Sequence, residues 1–113
     1  MEPEEHDRWY AVRSLFRLPD DVESAYEERI TIWRARSVEE AMDRAQAEAQ
    51  EYAEFAGATY LPDVGQAYHL ADAPPRDGAE VFSLMRSSRQ EPDAYLDTFF
   101  DTGTERAQVT EDA

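Results

Sequence analysis

Phe99-Phe100-Asp101-Thr102-Gly103-Thr104, close to the C-terminus, is the string with the most chemistry in it. Two apolar residues followed by D-T-G-T are how an aspartic protease presents one half of its carboxylate dyad. That dyad needs a strand and loop before the Asp and a substantial fold after it. Here Asp101 falls on the last turn of an expected helix with an acidic tail behind it. The string reads as a helix C-terminus stopped by Gly103.

His6 and His69 are the only imidazoles. His6 sits in a charged N-terminal arm. His69 lies on an expected strand beside Tyr68, with no serine, cysteine or second histidine at a triad spacing. A metal site would have to combine His69 with carboxylates from distant segments, so a structural or surface histidine is the simpler reading. Glu27-Glu28 are neighbours in an expected strand and point to opposite faces, which rules them out as a pair. Asp20-Asp21 sit in a turn, where Asp serves local hydrogen bonding. The four glycines stand singly and no cysteine occurs. Phosphate loops, disulfides and zinc ribbons are thereby excluded, and no cofactor is expected.

A less ordinary set lies in the first third. Six of the 11 arginines (Arg8, Arg13, Arg17, Arg29, Arg34 and Arg36) fall within the first 36 residues. Strand parity predicts that Trp9, Arg13, Arg17, Arg29, Thr31 and Trp33 share one sheet face, opposite Val12, Phe16, Ile30 and Ile32. Tryptophan among arginines is the composition of an interaction surface. The competing expectation is that Trp33 packs under the second helix while the arginines pair with abundant Glu and Asp.

The elements that must position these residues follow from periodicity. Trp9–Arg17 and Tyr26–Arg36 alternate as strands, separated by the turn-rich LPDDVESA, and predict a hairpin. Ser37-Val38-Glu39-Glu40 is a capping box in which Glu40 reaches back to the Ser37 N–H. It opens a helix over 38–56 whose apolar stripe is Val38, Ala41, Met42, Ala45, Ala49, Tyr52, Ala53 and Ala56, with Gly57 at its end. That stripe sets Ala45 and Ala49 against the sheet and Glu48 on the other side. Residues 64–70 and 79–86 read as two further strands around the loop ADAPPRDG, and 92–101 as a short helix begun by Pro92. The order β-β-α-β-β-α predicts an α+β two-layer sandwich: a four-stranded sheet, one long helix and a short C-terminal helix. Residues 9–103 form its single domain, between a flexible acidic arm (1–8) and a flexible acidic tail (104–113).

Net charge is −15, with 26 acids and no lysine. Such a chain resists nucleic acid and anionic membrane and favours solubility or a basic partner. No apolar run reaches a membrane span, and the start MEPEEHDR is acidic where a secretion signal is basic, which predicts a cytoplasmic location.

WYAVRSLFR, YEERITIWRARSVEEA with its Ala/Glu helix ending in EYA, GQAYHL, GAEVFSLMRSS and AYLDTFFDTGTER occur here in that order. Together they resemble the small bacterial family known as domain of unknown function 4288, over Trp9 to about Arg106. The resemblance implies a small bacterial cytoplasmic domain and brings no activity or site residue with it.

Two functional classes follow. The first is a binding or regulatory module acting through protein–protein contacts, self-association included, on the Trp9, Arg13, Arg17, Arg29 and Trp33 face. The alternative is a small enzyme or anion-binding domain using Arg13, Arg17, Arg29 or His69. No nucleophile–base pair supports an enzyme.

Overall fold

Two ten-residue segments of alternating pattern carry the fold. β1 (Arg8–Arg17) and β2 (Tyr26–Ala35) pair antiparallel in the computed structural model, which describes residues 7–19, 25–70 and 75–105. The readings made for residues 1–6 with His6, for Asp20 and Asp21, for 71–74 and for the tail from 106 onward lie outside the described residues. Pairing runs from Arg8↔Ala35 to Arg17↔Tyr26, so odd residues of β1 face even residues of β2.

The chain then turns into α1 (Val38–Ala56), with the boundaries that its caps predict. Ser37 is extended and its hydroxyl accepts from the Glu40 N–H at 3.1 Å. Glu40 reaches back one residue further than a capping box requires, taking the Arg36 N–H at 3.1 Å. Gly57 ends the helix at φ +70°, and the Ala58 N–H returns to the Ala53 carbonyl at 2.9 Å. Ala41, Ala45, Ala49 and Ala53 are its buried residues. Methyl-sized side chains let the helix backbone settle close on the sheet.

β3 (Thr59–His69) pairs antiparallel with β1, giving the strand order β2-β1-β3. It begins earlier than the expected residue 64: Pro62 lies inside the strand, as Gly65 does. They lie in an irregularity opposite the Arg13–Leu15 step of β1, where bulges tolerate both residues. Gly65 lies under α1, with its missing Cβ 3.4 Å from the Met42 Cε.

The sheet has three strands, and the fourth expected over 79–86 does not form: that segment carries no regular backbone structure. Its alternating side chains instead supply Phe82, whose ring meets Tyr68 edge-on at 6.1 Å, and Glu80, which accepts the Tyr68 hydroxyl. The first unit, Met1–Ser83, is thus a two-layer α+β arrangement with α1 on one sheet face. Phe16, Ala49, Ala53 and Tyr60 make one core cluster, and Tyr10, Ala35 and Ala41 another, with Trp33 packed against it.

The second unit, Leu84–Ala113, holds α2 (Pro92–Tyr95), which widens into a π-helical turn over Leu96–Phe100. Within it, Arg86 lies over the Phe99 ring at 4.3 Å and donates to the Tyr95 hydroxyl at 3.0 Å. Among the described residues no helix is long and apolar enough to cross a membrane.

Candidate functional site

Register decides which side chains meet. The helix side of the hairpin carries Tyr10, Val12, Ser14 and Phe16 with Glu27, Arg29, Thr31 and Trp33. The open side carries Trp9, Arg13, Leu15 and Arg17 with Tyr26, Glu28, Ile30, Ile32 and Arg34. The shared face expected for Trp9, Arg13, Arg17, Arg29 and Trp33 is therefore split. Parity orders side chains within a strand, but the loop between strands sets which parities coincide. Ile30 and Ile32, expected beside Val12 and Phe16, are on the open side instead, 44% and 42% exposed.

On the helix side, Arg29 and Trp33 are structural. Arg29 donates to Glu48 through both terminal nitrogens, at 3.2 and 3.1 Å, and lies 3.8 Å over the Tyr52 ring. Tyr52 in turn donates to Glu27 at 2.5 Å. That bond to a carboxylate, with burial behind it, raises the Tyr52 hydroxyl above its ordinary value. Glu48, expected away from the sheet, thus closes a β2–α1 clasp. Trp33 packs with Tyr10, Ala35 and Ala41, its Nε1 donating to Thr31 at 2.8 Å and Arg44 lying over its ring. His69 lies on the same side, its ring 5.3 Å from Tyr10.

On the open side Arg13 ties all three strands together. Its Nε donates to Glu28 of β2 at 2.9 Å, its Nη2 to the same carboxylate oxygen, and its Nη1 to Gln66 of β3 at 3.4 Å. Phe82 lies 5.3 Å beneath the guanidinium. Beside it is an open cleft of about 230 Å³ lined by Arg13, Ser14, Leu15, Glu28, Val64 and Gln66. Arg17 is exposed at the end of β1 opposite Tyr26, and Trp9 is half-buried opposite Arg34. The residues converging on a small anion in the second functional class do not converge: Arg29 and His69 lie on one face, Arg13 and Arg17 on the other. Among the described residues no three His, Asp or Glu side chains form a metal-binding group.

Asp101 of the D-T-G-T string takes the Gly103 N–H at 3.3 Å, and Gly103 sits at φ +92°. Thr102 donates to Glu105 from both backbone and hydroxyl at 2.8 Å, which lowers that carboxyl below its ordinary value. The string builds a turn.

What emerges is a surface of Ile30, Ile32, Tyr26, Leu15 and Trp9, with the arginines Arg13, Arg17 and Arg34 and the carboxylates Glu28, Asp7, which meets Arg34 at 3.4 Å, and Glu80, which accepts from Tyr68. Sequence reasoning missed its isoleucines, and only the hairpin register reveals them. Compared with family models, curated proteins and solved structures, the chain matches none.

Proposed function

We propose that this protein is a non-enzymatic binding module that works through protein–protein contact on the open face of its sheet. A bacterial cytoplasmic setting accords with the resemblance to domain of unknown function 4288. The observation carrying this reading is the exposure of Ile30 and Ile32 in a paired strand, beside Tyr26 at 58%. Apolar side chains clustered on a flat face are what protein interfaces use. Arg13, Arg17 and Arg34 stand there with Glu28, Asp7 and Glu80, so in a chain of −15 this face carries balanced charge around its apolar residues, which suits a partner surface that is apolar with charges of both signs at its rim.

A photo-reactive residue tests it. Placed at Ile30, it should form an adduct with another polypeptide chain in the native host, whereas the same residue at exposed Glu51 on α1 should not. Adducts at 51 alone, or at neither position, would overturn the proposal.

A further inference from the structure

The open face ends at β2, a sheet edge with no partner strand among the described residues, whose hydrogen-bonding groups point outward with a defined phase. The Leu18 N–H donates to the Ala25 carbonyl at 2.9 Å, one step beyond the end of the hairpin ladder and in register with it. Odd residues of β2 therefore exchange hydrogen bonds with β1, and even residues turn their N–H and C=O away from it. Arg34 shows this directly, since its carbonyl is taken from outside by Arg44 Nη1 at 2.6 Å. Tyr26, Glu28, Ile30, Ile32 and Arg34 thus line an edge that no strand of the described residues pairs, and β2 holds no proline, glycine or bulge to blunt it.

We infer that this edge pairs antiparallel with β2 of a second copy of the chain, about a two-fold axis through Thr31, joining two three-stranded sheets into one of six strands. The inference rests on the proposed reading and names its partner at this edge. Complementarity selects the register. With Thr31 opposite Thr31 of the second copy, Ile30 meets Ile32 and Glu28 meets Arg34 on the open face, each twice by symmetry. On the helix side Arg29 comes opposite Trp33.

The neighbouring registers lose these matches. A two-residue slide one way sets Glu28 opposite Ile32. The other way sets Ile30 opposite Arg34. One-residue slides would bring opposite faces together. Glu28 can serve both partners, because both Arg13 bonds fall on Oε1 and leave Oε2 for the second copy's Arg34. The Arg34 carbonyl has a second lone pair beside the one Arg44 uses. Charge suits this edge in two chains of −15, because β1 and β2 together hold five arginines and two glutamates; Arg34 meets Asp7 of its own chain through Nε at 3.4 Å and would share its guanidinium with Glu28 of the second copy.

Sedimentation velocity of the full chain at rising concentration tests it, with circular dichroism and denaturant midpoints as folding controls. The wild type should form a dimer. Arg34→Glu should weaken it by about tenfold or more, and adding Glu28→Arg to that variant should restore it. Ile32→Pro should abolish it without cost to the hairpin ladder, because the Ile32 N–H points away from β1. A wild type that stays monomeric at high micromolar concentration overturns the inference, as does a dimer that survives Ile32→Pro in a folded chain. Adducts at position 30 to a different polypeptide would in either case leave the binding-module reading standing, so the two failures are distinguishable.

Discussion

Arg29 of β2 and Glu48 of α1 form a two-pronged clasp, 3.2 and 3.1 Å, with both side chains about one-third exposed or less. The ring of Tyr52 lies under the guanidinium at 3.8 Å, screening it from water on one side. A partly desolvated bidentate pair is worth more than an exposed one. Glu48→Arg sets two guanidinium groups against each other and should cost about 2 kcal/mol. Glu51→Arg, on the exposed side of the same helix, should stay within about 0.5 kcal/mol. Urea midpoints of the two variants check the difference.

Ala49 is 1% exposed against Phe16 and Tyr60, while Ala47, two residues earlier, is exposed. Ala49→Arg should therefore destabilise by about 3 kcal/mol or more through overpacking and a buried charge. Ala47→Arg should be close to neutral. Equal midpoint losses would show that a different helix face meets the sheet.

The two tryptophans should behave differently. Trp33→Ala removes a ring packed between Tyr10, Ala35 and Ala41 and frees the Thr31 hydroxyl, and should cost about 2–3 kcal/mol. Trp9→Ala, on the open face, should cost less than half as much and act on binding instead. Thermal denaturation of both variants separates the roles.

Alkaline pH should loosen the helix from the sheet. Tyr52 and Tyr60 both sit above the ordinary 10.0, Tyr52 chiefly through its bond to Glu27 and Tyr60 chiefly through burial. A folded-state pKa above the unfolded one means the native chain holds the proton longer. Its stabilising effect is intact below about pH 10 and is lost as pH rises through the folded value. Tyr52→Phe should flatten that decline, leaving the part due to Tyr60. Stability measured from pH 9 to about 11.5, beside a tyrosinate absorbance titration, tests the sign.

The helix was legible to the residue because its signals are local: Ser37 at one end and Gly57 at the other bound Val38–Ala56. The hairpin strands were legible from their alternation to within one residue at an end. What alternation cannot carry is the relation between strands. Arg13 stands opposite Ile30 because the loop before β2 fixes that offset, and the loop's length has no imprint on either strand. For the same reason the Trp/Arg face dissolved into a clasp and a packed tryptophan on one side, and an isoleucine surface on the other. A proline need not end a strand: Pro62 lies inside β3 with Gly65, both absorbed at a bulge. Residues 79–86 have a strand's pattern without a strand's partner, and pattern alone makes no ladder.

The strand order also governs when the sheet can be finished. β1 precedes β2 and β3 in the chain and is also the central strand, flanked by both. Its first edge is satisfied at once by β2, but Tyr10 must wait for His69, roughly sixty residues later in the chain. Until Thr59–His69 leaves the ribosome, the odd-numbered backbone groups of β1 lack the strand that pairs them in the folded sheet. Closure of β3 across that long loop should set the folding rate, and substitutions in its Pro62–Gly65 irregularity should slow refolding more than equally destabilising changes at the β1–β2 turn.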